Sequence, residues 1–76
     1  MIKRTSFAVA VKKEDLKGLL REAAASATLS QVVSTGRPQI SLSATLASLR
    51  LFVEGEDRRV DAFEKQVKES PLVYKL

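Results

Sequence analysis

Cysteine and histidine are both missing from the 76 residues. The first absence removes disulfides, thiolate metal sites and any thiol nucleophile. The second removes the usual metal ligand and the usual general base. An enzyme built from this chain would have to work with lysine, arginine, carboxylates and hydroxyls, and no stretch carries a catalytic, metal or nucleotide signature. The expectation is a protein that is not an enzyme and holds no metal and no cofactor. Long apolar runs are also lacking. The longest near the start, Phe7 to Val11, falls short of the roughly 7–15 residues of a signal-peptide core and ends at Lys12-Lys13 without a cleavage site. Nothing approaches membrane-spanning length, so a cytoplasmic protein without a membrane partner is expected.

What is present fits one domain, residues 1–76. A chain this short buries only about 60% of its unfolded surface, which makes a monomer feasible and marginal. The net charge of +4 is uneven: residues 1–50 hold eight bases and three acids, and residues 51–76 hold five bases and six acids. A basic half can favour polyanions, although small domains often carry such a charge with no charged partner.

The clearest stretch is Leu46 to Leu76, which reads as strand, helix, strand. Val60, Phe63 and Val67 recur at helical spacing on one face. Glu54, Glu56 and Asp57 crowd the start of this helix and Lys65 and Lys68 its end, as the macrodipole favours. Asp61 with Lys65, and Glu64 with Lys68, are expected as acid-before-base pairs on the solvent side. Gly55 is expected to break the preceding strand, and Pro71 to end the helical segment after Ser70. Before the helix, Leu49, Leu51 and Val53 alternate with Ser48, Arg50, Phe52 and Glu54, the period of a strand with one buried face. After it, Leu72 to Leu76 is short and β-favouring, with Leu72, Tyr74 and Leu76 on one side.

In the first half, Thr5 to Val11 alternates Phe7, Val9 and Val11 against Ser6, Ala8 and Ala10, a strand with one bulky and one small-residue face. Glu14 and Asp15 open a helix with Leu16, Leu19, Leu20, Ala23, Ala24 and Ala27 on its apolar face. Gly18 inside it costs about 1 kcal/mol relative to Ala, which a close approach to another backbone could offset. Between Glu22 and Arg50 the only charge is Arg37. There Leu29 to Val33 is β-favouring, Thr35-Gly36-Arg37-Pro38 has the composition of a turn, and Ile40, Leu42 and Ala44 alternate with serines. A second reading stays open, because Leu42, Leu46, Leu49 and Val53 also fit a helical stripe with Ser41 as its N-cap.

With strands throughout, the order is β-α-β-β-α-β. The expected fold class is α+β, a ferredoxin-like plait with a four-stranded antiparallel sheet and two helices on one face. Val53-Glu54-Gly55, Val60-Asp61-Ala62-Phe63 and Ser70-Pro71-Leu72 with a closing strand resemble the C-terminal half of the acylphosphatase family over residues 48–76. The resemblance implies the same plait. The activity of that family rests on a glycine-rich phosphate loop with an arginine after strand one and an asparagine on strand two. This chain has Val11-Lys12-Lys13-Glu14 at the first place and no Asn anywhere, so the resemblance implies the fold without the activity.

A plait leaves one sheet face open. If Leu49, Leu51 and Val53 face the helices, Arg50 and Phe52 face away from them. The candidate binding residues are Arg50, Phe52, Arg37, Lys12 and Lys13. One use of such a face, or of the low-charge segment 29–49, is contact with a protein partner, most simply a second copy in a homo-oligomer. The other is single-stranded RNA, with Phe52 as a stacking platform and the bases on phosphates. The paired bases Lys3-Arg4, Lys12-Lys13 and Arg58-Arg59 are not patches by themselves, since neighbours on a strand or helix diverge.

Overall fold

The computed structural model describes residues 1–40 and 44–75. The expected alternation at Leu42, the N-cap role of Ser41 and the placement of Leu76 lie outside those residues. Strand β1, Ile2–Lys12, is followed by a single 3₁₀ turn at Lys13–Asp15 and helix α1, Leu16–Ser30. Strands β2, Val33–Ile40, and β3, Leu46–Glu56, precede helix α2, Asp57–Lys68. The sheet is antiparallel and runs β1-β3-β2.

The alternation read from the sequence sets the two faces. Phe7, Val9 and Val11 of β1 and Ala47, Leu49, Leu51 and Val53 of β3 are buried against Leu19, Ala23 and Ala27 of α1 and Val60, Phe63 and Val67 of α2. Both helices thus cover the same face, and Phe63 meets Phe7 edge-on with ring centroids 6.1 Å apart. The small residues Ala23 and Ala27 let α1 approach closely. Residues 46–53 are strand, which decides the strand-or-helix alternative over that range.

The four-stranded ferredoxin-like plait is overturned: the described residues form an α+β fold with a three-stranded antiparallel sheet and two α-helices. In place of a closing strand, Val73 makes one isolated antiparallel bridge to Val11, and the Tyr74 N–H donates to the Ala10 carbonyl at 2.8 Å. Pro71 and Leu72 turn instead of extending. The turn is held by Ser70, whose hydroxyl donates to Glu22 Oε1 at 3.1 Å and accepts the Leu72 N–H at 3.2 Å.

Local expectations fail where tertiary contacts outweigh composition. Of Leu29 to Val33 only Val33 is strand, as the first residue of β2, because α1 continues through Ser30 and stops at Gln31, which adopts the left-handed conformation at φ 57°. The Val32 N–H then returns to the Ala27 carbonyl and the Gln31 N–H to that of Thr28, the Schellman pattern that satisfies the last carbonyls of a helix. Thr35 to Pro38 is not a turn but lies within β2. Gly55 does not break β3, which runs to Glu56; a Cβ there would lie 2.8 Å from Val32 Cγ1, so the glycine makes room for that side chain. At Gly18 the close neighbour is the Leu72 side chain, at 3.0 Å from an ideal Cβ, and not a backbone. Glu64 pairs with Lys68 as expected, at 2.6 Å, whereas Asp61 pairs with Lys3 of β1 at 3.0 Å instead of with Lys65. Among the described residues no helix is long and apolar enough to cross a membrane.

Candidate functional site: the uncovered sheet face

Cross-strand register places the side chains of the face that no helix covers. Phe52 of β3 stands between Ser6 of β1 and Thr35 of β2. One step along, Arg50 stands between Ala8 and Arg37, and beyond it Ser48 stands between Ala10 and Gln39. In the other direction Glu54 stands between Arg4 and Val33. The floor is therefore small and polar around one aromatic ring. Phe52 keeps 42% of its surface exposed, and Val33 and Ile2 are each 73% exposed. A large apolar side chain in that position is the feature that marks a surface for contact.

Two guanidinium groups flank the ring. Arg37 places its central carbon 5.9 Å from the centroid of Phe52, within reach of the ring quadrupole. Arg50 is directly opposite Arg37 in the register and donates from Nη1 to Ser6 Oγ at 3.2 Å. Like charges directly opposite across two strands are destabilising, and among the described residues no carboxylate bonds to either. Among the described residues the one acid near the centre of this face, Glu54, is taken by Arg4 at 2.9 Å. Positive charge therefore gathers beside the aromatic ring without an internal counter-ion, and this face can attract a carboxylate or a phosphate.

No protein-family model matches this chain. No curated protein matches it significantly either.

The structure brings together three of the five residues singled out from the sequence: Arg37, Arg50 and Phe52. Lys12 ends β1 four residues beyond Ala8, roughly 13 Å along the strand at about 3.3 Å per residue. Lys13 lies outside the strand, in the 3₁₀ turn. Both line a depression of about 630 Å³ with Glu14, Thr45, Leu46 and Tyr74, separate from the Phe52 cluster. The low-charge segment 29–49 is divided by the fold: Leu29 is exposed at the end of α1, while Val33, Thr35, Arg37 and Gln39 join the open face. Sequence reasoning missed Thr35 and Val33 as neighbours of Phe52, because the apparent turn at 35–38 concealed a strand.

Proposed function

We propose that this chain is a small non-enzymatic binding module that contacts a protein partner, a second copy included, through the uncovered face of its sheet. The half-exposed ring of Phe52 carries the reading, set at the centre of that face with Val33 exposed on the neighbouring strand. Burying such a ring against a partner recovers apolar area that the fold leaves in water. Light scattering after gel filtration, on the wild type and on Phe52→Ala, tests the self-association form. If this face recognises a second copy, the variant has a lower mass at equal concentration; an identical mass in both counts against the self-association form and leaves the face to other protein partners.

One observation favours a second reading, single-stranded nucleic acid. Among the described residues Arg37 and Arg50 have no carboxylate partner, and they stand beside a ring that could stack a base, the combination that non-specific single-strand binders use. Titration with a single-stranded oligonucleotide at two salt concentrations separates it from the first. Binding that weakens steeply with salt supports it, and no binding at low salt removes it.

A further inference from the structure

The free edge of β1 carries an inference about a surface other than the open face. Hydrogen bonds determine which way its backbone points. The Met1 carbonyl accepts from the Asp57 N–H, and the Lys13 N–H donates to the Thr45 carbonyl, so the odd-numbered groups turn toward β3. The Ala10 carbonyl accepts from Tyr74 on the opposite side. Since a strand alternates sides at each residue, Ile2, Arg4, Ser6 and Ala8 aim their N–H and C=O groups outward. Among the described residues this edge is covered only by the bridge at Val73, near Ala10 and Val11.

The same alternation places Ser34, Gly36 and Pro38 on the outer edge of β2, as the β2–β3 register requires. Proline lacks the donor that a further strand would need, so that edge is blunted. The β1 edge contains neither proline nor glycine between Ile2 and Ala8. The two cations of that stretch, which would otherwise discourage a neighbour, are each paired on the surface of the same chain, Lys3 with Asp61 and Arg4 with Glu54.

We propose that β1 pairs antiparallel with β1 of a second copy, about a two-fold axis at Thr5, joining the two sheets into one of six strands. Outward groups must face outward groups, so the axis falls on a residue and not between two; the registers that engage most of Ile2 to Ala8 have it at Arg4, Thr5 or Ser6. An axis at Arg4 sets two like charges opposite each other. An axis at Ser6 sets Ala10 opposite the partner's Ile2, where residues 73 and 74 already lie. With the axis at Thr5, Arg4 bonds the partner's Ser6 and Ile2 the partner's Ala8.

The helices fit the same axis. α2 packs over both β1 and β3, so strands spaced about 4.8 Å apart bring the two copies of α2 to about 10 Å, an ordinary helix-packing distance. Lys3 bonds Asp61, and Lys68 lies 5.5 Å from the ring of Phe7. Setting Lys3 opposite the partner's Phe7 therefore brings Asp61 beside the partner's Lys68. The charges along this flank of α2 are complementary under the two-fold.

The test is a proline where the backbone points outward, which leaves the bonds to β3 intact. By light scattering the wild type is expected at twice the 8.3 kDa of the single chain, and Ser6→Pro at the single-chain mass with an unchanged circular dichroism spectrum. Phe52→Ala is expected to keep the edge-paired dimer, which separates this inference from the open-face reading. A monomeric wild type across accessible concentrations, or a folded Ser6→Pro that remains dimeric, overturns it. If Ser6→Pro fails to fold, amide exchange of the wild type decides. Protection of the Arg4 and Ser6 amides should rise with protein concentration while that of Gly36 stays constant, and no rise at Arg4 and Ser6 overturns the pairing.

Discussion

Two phenylalanines, Phe63 on the helix packed against one face of the sheet and Phe52 on the other face, separate stability from recognition. Phe63 is fully buried and touches Phe7, so Phe63→Ala is expected to cost about 3–5 kcal/mol. A 76-residue chain has about 4–11 kcal/mol in total at the usual per-residue stability. That one substitution therefore removes from about a quarter to all of the margin and lowers Tm by more than about 12 °C. Phe52 retains 42% exposure, so it recovers a little over half of the roughly 1.5–3 kcal/mol that full burial of such a ring is worth. With the Arg37 contact, Phe52→Ala is expected to cost about 1.5–2.5 kcal/mol and to remain folded. Urea unfolding followed by circular dichroism, at low protein concentration so that self-association does not contribute, measures both. Equal losses at the two positions would refute the assignment of faces, because they would place the ring of residue 52 in an interior comparable to that of residue 63.

The remaining expectations concern glycines and one ion pair. Gly18→Ala is expected to stabilise α1 by up to about 1 kcal/mol, because the Leu72 side-chain tip at 3.0 Å sits on a half-exposed segment that can shift. Gly55→Ala is expected to destabilise by about 1–3 kcal/mol, because Val32 offers stiff branched and backbone atoms at 2.8 to 3.5 Å; urea midpoints check both signs. The hydrogen bond and charge of Asp61 raise the Lys3 pKa above 10.5. A raised folded-state pKa contributes stability that is present below the unfolded value and lost as pH climbs through the folded one. The stability gap between wild type and Lys3→Met should accordingly be constant through neutral pH and close above 10.5; a gap that persists there would sever the link to this pair.

Periodicity made much of the fold legible. Phe7, Val9 and Val11, then Leu49, Leu51 and Val53, then Val60, Phe63 and Val67, all lie where their spacing puts them. Spacing reports which face of an element is wet, and so it placed Arg50 and Phe52 away from the helices. It carries no information about how strands neighbour one another. The turn-like composition of Thr35 to Pro38 masked an edge strand, since an edge tolerates a proline whose nitrogen points outward and a glycine that admits Leu20. Arg37 joined the Phe52 cluster only through that strand. The closing segment misled for a related reason: β-favouring residues extend only where enough of the neighbouring edge is engaged, and here the turn at Ser70 delivers a single bridge.

The working surface is tested most directly by the ring resonances of Phe52, followed as protein is raised from micromolar to millimolar concentration and then as single-stranded oligonucleotide is added. If the uncovered face is where this chain makes contact, the ring and its neighbours Thr35 and Ser6 shift in one of these series. Ring resonances that stay fixed in both, while shifts concentrate on the outer surface of α1 around Leu29, would contradict it.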